Sequence, residues 1–515
     1  MIDLRIHIAD EAPWLERILD QERVPFVTNS RGSSSGDPNS SIIASTNKNL
    51  DGVSAKLIIT NHDSLASFLG IETRKTKARS FVFGAKRGHA FVKLKSGDFS
   101  GQKNYQEVGF HLDKFNRRIP FSGVISIELA GTRYLSFPWK LDKFPRHWTR
   151  WSLYLSQIRD GKQLFCETTP WIDDRLVREA VFEGIVMGFQ GLGAPIVRVS
   201  PRVSGELIAV RIDADGYSAR STSRVHDLAL KKGVSFSWFI DVWSWKNELT
   251  EIKRLAASHE IGLHSFFHLT SIWAKSNIRN LRKGLAFLQD LGLEKIGFVA
   301  PFGHWNRGLS AAIKKLPISY SSEFAFSSDI IPSRESGVSH EPRRLQISTI
   351  PVSIGVWTGT ADYWEILLEE IEARLDEVGH AVLYDHPLNR LEHQTEKLGE
   401  LIDILLKRGC KFVSLAEVSE IYSQRPRISF ANWSDGLLTY ETEGHVDAEF
   451  QVETVWGDSH FKALHDQNHD LGIGRRNMFS IAWGRTIFFG LISVIPIWWH
   501  IKWANLRAFL SLRRS

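Results

Sequence analysis

Between about residues 201 and 422 the chain alternates short apolar runs with segments of helical periodicity. No other feature narrows the fold as far. The runs at 207–212, 236–240, 259–263, 296–299, 348–352, 381–384 and 411–414 read as strands. The segments at 225–232, 249–258, 277–291, 363–378 and 397–407 read as helices between them, the first ending at Gly233, a natural C-cap residue. Such alternation predicts parallel strands joined by crossover helices. In a barrel of that kind, functional residues collect just past the strand ends.

Two groups stand at such ends. Asp213 and Asp215 follow the run 207–212, and about fifty residues later His264 and His268 follow the run 259–263. Two carboxylates two apart repel each other unless a cation lies between them. Two imidazoles and one carboxylate make a zinc ligand set with open positions, and a spare carboxylate can take a proton from the activated water. This points to a metal-dependent hydrolase. The two rings can share one point only if the chain makes a helical turn after the strand, and with 19 histidines in the chain a chance pair is the competing explanation. Ser265 follows His264, so the H-E-x-x-H pattern of zincins is absent. A bare D-x-D also fits a manganese-dependent glycosyltransferase, a chemistry that does not need the histidines.

The flanking regions carry fewer constraints. At 515 residues two or three domains are expected, and 43% apolar with 24% charged residues is a foldable composition. Cys166 and Cys410 alone offer neither a disulfide framework nor a thiolate metal site. Residues 1–200 read as a mixed α/β domain of undetermined role, with a helix at 14–21, strands at 56–60 and 81–83, a polar loop at 29–41 and a helix at 175–190. The aromatic stretch from Phe137 to Tyr154 reads as core or inter-domain contact rather than a sugar platform. Residues 423–470 suggest a small β appendage, with strands at 437–440 and 449–452.

The charge is uneven. Residues 471–515 hold seven Arg or Lys and no acid, so the rest of the chain sums to about −1 by subtraction from +6. The basic balance therefore belongs to the tail, and a nucleic-acid partner loses its support. Residues 486–499 carry no charge but are short of the roughly 18 to 20 needed to span a bilayer, and Pro496 interrupts them. With Trp483, Trp498, Trp499 and Trp503 among basic residues, the segment 475–515 predicts an interfacial membrane anchor attracted to anionic lipid, with a true span as second choice. The first residues carry no apolar signal-peptide core, so the expected location is the cytoplasmic face of a membrane.

Taken with Phe298-Val299-Ala300-Pro301-Phe302-Gly303 and Leu383-Tyr384-Asp385-His386-Pro387, the two groups resemble the motif series of the polysaccharide deacetylase family, the NodB-homology domain. The most specific element is Ile261-Gly262-Leu263 followed by H-S-x-x-H. The D-x-D form is similar to a variant branch of that family. The resemblance implies a distorted (β/α) barrel over about 203–422 that hydrolyses an N-acetyl, less often O-acetyl, group from a sugar. It implies Asp213 as general base and Asp215, His264 and His268 as ligands of a divalent metal. That metal is expected to be zinc, with cobalt, manganese or iron(II) as alternatives. His386 would be general acid with Asp385 tuning it, and the backbone N–H of Phe302 would bind the oxyanion. Pro301, His304 and Trp305 would line the substrate cleft.

Two departures from the family pattern stand out. Val299 occupies the place of the family's arginine that orients the base, for which Arg211 or Arg307 are substitutes, and Trp357 and Trp364 are candidates for its tryptophan motif. The whole reads as a membrane-associated deacetylase acting on a glycan or lipid-linked saccharide. A D-x-D glycosyltransferase and a catalytically silent carbohydrate-binding barrel are the rivals.

Overall fold

All eight residues of the strand Leu207–Ala214 are buried, as a strand with parallel neighbours on both edges and layers on both faces requires. In the computed structural model one edge pairs in parallel with Ser237–Ile240, which pairs with Glu260–Leu263. The other edge pairs in parallel with His380–Asp385, which pairs with Ile350–Pro351. Parallel bridges from Leu263 to Phe298 and from Phe298 to Ser321 continue the first edge, and Ser321–Ser322 pairs with Leu345–Ile347. Leu345–Ile347 and Ile350–Pro351 are separated by only two residues, so the pairings run round a ring. The described pairings, a mixed α/β arrangement around a parallel sheet, fit the expected (β/α) barrel.

The structure describes residues 2–10, 12–28, 42–45, 55–83, 86–140, 155–159, 162–166, 174–301, 306–323, 331–334, 345–347, 350–351, 363–388, 391–444 and 450–455. The polar loop at 29–41, the tryptophans at 148 and 151 and the whole tail from 456 lie outside them. Among the described residues no helix is long and apolar enough to cross a membrane.

The period-2 alternation of the central strand divides its side chains between two layers. Ile208, Val210, Ile212 and Ala214 pack with helix residues such as Val225, Ala229, Leu285 and Ile402. Leu207 and Ala209 pack instead with Phe239, Val299, Tyr320 and Val382. Arg211 and Asp213 share that second face and so point into the ring. The covering helices stop where their sequence directs. Ala219–Lys232 starts on the Ser218 side chain and ends at Gly233 with φ 66°, and Thr395–Arg408 ends at Gly409 with φ 96°.

Differences from expectation have local causes. The strand at 411–414 shortens to Lys411–Phe412, because Ser414 leaves it to cap the helix Leu415–Ser423 in a reciprocal capping box with Glu417. The strand at 296–299 is reduced to the bridges at Phe298. The strand at 81–83 is the end of an eleven-residue strand, Thr73–Phe83, in a long hairpin with Lys86–Gly97.

The N-terminal region builds a seven-stranded mixed sheet with Leu57–Asn61 and Thr132–Phe137 at its centre, beside a four-stranded sheet containing the long hairpin. Strands late in the chain pair back onto early ones. Ile2–Asp3 pairs with Arg427–Ser434, and Ile196–Val199 pairs with Val452–Val455. One apolar cluster runs from Ile6, Leu15 and Leu57 through Val199 and Leu207 to Tyr422 and Phe450. Trp139 is buried there against Trp14, Phe81 and His111, as core rather than sugar platform.

The helix Asp174–Gly191 lies on the larger sheet through glycines that allow close approach. A Cβ at Gly184 would stand 2.6 Å from Val124 Cγ1, a stiff β-branched neighbour. Ala at an open helix position gains about 1 kcal/mol over Gly, but overpacking costs about 1–3 kcal/mol. Gly184→Ala is therefore expected to lower unfolding free energy, by roughly 1–2 kcal/mol, in chemical denaturation. An unchanged or raised stability contradicts this packing.

Candidate active site

Four neighbouring parallel strands deliver one polar group or more each from their C-terminal ends. Leu207–Ala214 supplies Asp213 and leads to Asp215, and Ser237–Ile240 leads to Asp241. Glu260–Leu263 leads to His264, and His380–Asp385 leads to His386. The backbone fixes the rims together: His264 donates its N–H to Ile240 O at 2.9 Å, and Asp241 donates to Ala214 O at 3.4 Å.

Asp215, only partly exposed, is the hub. Its Oδ1 lies 2.9 Å from His264 Nε2 and 3.1 Å from His268 Nε2, and its Oδ2 lies 3.1 Å from His386 Nε2. The two histidine Nε2 atoms are 3.0 Å apart. His264 Nδ1 is 3.0 Å from Val299 O, a carbonyl that only accepts. The ring therefore carries its proton on Nδ1 when neutral, and its Nε2 lone pair turns to Asp215. Burial opposes ionisation of Asp215, but the imidazoles of His386, His268 and His264 outweigh it and hold the carboxyl well below its usual range. Burial also disfavours the charged form of His268, yet Asp215 more than offsets this and raises its pKa.

His264 and His268 meet, but not through a helical turn. Ser265 adopts a left-handed φ of 70°, and its hydroxyl donates to Phe267 O. The loop is then held from outside. Asn280, on the helix Ala274–Asp290, accepts from Phe267 N at 2.8 Å and donates to Phe267 O and Leu269 O at 3.0 and 3.1 Å. Val242 and Trp243 donate their N–H groups to Ser265 O and Phe266 O at 3.1 and 2.8 Å.

Asp213 sits deeper and has a different partner. Arg211, fully buried, donates from Nε to Oδ1 at 2.6 Å and from NH2 to Oδ2 at 2.5 Å. Its NH1 donates to Ser322 O at 2.7 Å, and its guanidinium lies 5.1 Å from the centre of the Tyr384 ring. Desolvation raises the pKa of Asp213, but the Arg211 charge and hydrogen bonds prevail and keep it below the ordinary value. Of the two arginines considered in place of one at Val299, Arg211 is thus seen against Asp213. Arg307 begins the helix Arg307–Ile313, and its side chain lies outside the described set.

His386 receives a second carboxylate. Asp385 Oδ1 accepts the backbone N–H of His386 at 2.8 Å and lies 3.7 Å from His386 Nδ1. Pro301 is buried at the rim. Phe302, Gly303, His304, Trp305 and Trp357 lie outside the described residues, while Trp364 sits half-buried on the helix Tyr363–Val378, against the outer layer.

Sequence reasoning passed over Asp241 and Asn280. Asp241 is buried, and its Oδ2 accepts from Ser244 Oγ at 2.5 Å while no described residue hydrogen-bonds its Oδ1. Burial raises its pKa, and it feels the charges of His268, His264 and Asp215. An acidic residue ending the strand beside the Asp213 strand was the available signal. Asn280 clamps the loop from a distant helix, and nothing local announces it.

Asp215, His264 and His268 each offer one ligand atom, all within 4.8 Å of one another. Imidazole and carboxylate donors about 2.1 Å from a divalent ion lie roughly 3.0 to 3.4 Å apart. The observed triangle of 2.9, 3.0 and 3.1 Å has that size. Lone pairs converging on one point, near the buried Asp241 whose Oδ1 no described residue hydrogen-bonds, fit a cation.

No family model and no curated protein matches the chain. Solved structures of CE4-family proteins match it. The Xyl-CE4 domain of a multidomain xylanase from the hindgut metagenome of Trinervitermes trinervoides is 17% identical, with TM-score 0.32 over 45% of this chain and 98% of that one. A family 4 acetyl xylan esterase from Clostridium thermocellum, in complex with cobalt, is 20% identical, with TM-score 0.30 over 42% and 91%. A CE4-family pseudoenzyme from Bacillus anthracis is 16% identical, with TM-score 0.32 over 42% and 66%. These values assign no activity.

Truncating Arg211 leaves Asp213 buried and uncompensated. Arg211→Met is expected to destabilise the chain by about 3–5 kcal/mol in chemical denaturation, and Arg211→Met with Asp213→Leu to recover much of that loss. A single-variant loss under about 1 kcal/mol contradicts the pairing.

Proposed function

We propose that the chain is a metal-dependent carbohydrate deacetylase that removes an acetyl group, in the first place an N-acetyl group, from a polysaccharide or lipid-linked saccharide. The observation that carries this is the placement of Asp213 and His386 on different strand ends around the donors of Asp215, His264 and His268.

Asp215, His264 and His268 would hold a divalent ion, zinc by the chemistry of the set, and the ion supplies Lewis acidity. Asp213, kept ionised by Arg211, accepts a proton from the water that attacks the acetyl carbon. His386 gives a proton to the departing amine as the C–N bond breaks, leaving acetate and a free amino sugar. Asp385 steadies the His386 backbone and lies on the Nδ1 side of its ring, where a carboxylate favours the imidazolium. The Phe302 N–H would bind the oxyanion, and Pro301, His304 and Trp305 would line the cleft.

Arg211 also speaks against the glycosyltransferase reading. Both Asp213 oxygens take N–H bonds from Arg211 while Asp215 alone meets the histidines, so the two carboxylates do not act as a pair. The acid-free basic tail supports a place at the cytoplasmic face of a membrane.

The test is acetate release from N-acetylated oligosaccharides by metal-loaded protein. Asp213→Asn and His386→Gln should each lower kcat by about 10²–10⁴-fold without loss of metal. Release undiminished in both variants contradicts the assigned roles, and no release from any acetylated saccharide points to a silent barrel.

A further inference from the structure

The N-terminal region contains a cavity of about 560 Å³ that shares no residue with the barrel site. It opens between the start of the helix His62–Leu69, the long hairpin and the segment 138–140. Four lysines line it, Lys75, Lys77, Lys95 and Lys140, against one acid, Asp63, which pairs with Lys95 at 3.1 Å.

The hairpin register sets Lys75 directly across from Lys95. Like charges directly opposite on neighbouring strands destabilise a sheet unless an anion lies between them. The helix His62–Leu69 points its N-terminal end at the cavity, adding partial positive charge. In the wall, Trp139 is 2% exposed, and its indole N–H has no hydrogen-bond partner among the described residues. A buried indole N–H ordinarily finds an acceptor. The lining cations are all lysines, point-charge donors of the kind that bind phosphate. The volume lies within the range of small-molecule sites.

We propose that this cavity binds a small ligand through a phosphate or diphosphate group, the anion resting among Lys75, Lys77, Lys95 and Lys140. The proposal is independent of the deacetylase reading.

Calorimetric titration of the full chain at low salt tests it, with inorganic pyrophosphate and N-acetylglucosamine 1-phosphate as probes. Saturable binding that weakens with salt is expected. Lys75→Ala with Lys77→Ala should weaken it about 10-fold or more with no loss of Tm, since both side chains are exposed. Trp139→Phe, which removes the indole N–H, should also weaken it. The variant His264→Ala with His268→Ala should retain binding, which separates this site from anion capture by a metal. Tighter binding of the sugar phosphate assigns the remaining volume to the sugar, and equal binding assigns the site to the anion alone. No saturation by ~10 mM, unchanged affinity in the lysine variant, loss in the histidine variant, or equal affinity for glucuronate overturns the proposal.

Discussion

The buried pair of Arg211 and Asp213 is the constraint on which the barrel interior depends. Both residues stand on one face of a strand whose other face packs under helices, so the ion pair lies where an unpaired charge is costly. Apolar side chains fill the ring below, with Leu207, Ala209 and Val382 in one cluster. Above, at the strand ends, the groups become polar and reachable. Arg211 also ties the strand to Ser322 across the ring and lies over Tyr384, so a single guanidinium links three elements of the wall.

From that base the site follows as a matter of register. Parallel neighbours bring Asp213 beside Phe239 and Ile212 beside Asp385, and the residues just past these positions form the rim. Two devices then aim the histidines. The carbonyl of Val299 fixes the tautomer of His264, and Asn280 fixes the loop that carries His268. Val299, the apparent departure from the family pattern, thus takes part through its backbone. The arginine that meets Asp213 comes from its own strand, two residues earlier.

Much of this is legible in the amino-acid sequence. The apolar runs end where the strands end, and Gly233 marks its helix terminus, because those features are local. Asp213, Asp215, His264, His268 and His386 stand out as polar groups following apolar runs. Arg211 is half legible, since residues two apart on a strand share a face, but its burial depends on neighbours distant in sequence. The bend at Ser265 escapes such a reading because serine rarely takes a positive φ, and Asn280 because its bonds span eleven to thirteen residues. The long hairpin hides behind basic residues at 74, 75, 77 and 79, which leave no apolar alternation to read.

The central claim is that Asp215, His264 and His268 hold one divalent ion. The direct measurement is metal content by mass spectrometry after dialysis, for the native chain and for Asp215→Ala and His268→Ala variants of confirmed fold. About one ion per chain, lost in both variants, is the predicted result. No bound ion after exposure to zinc, cobalt, manganese and iron(II), or equal content in the variants, would contradict it.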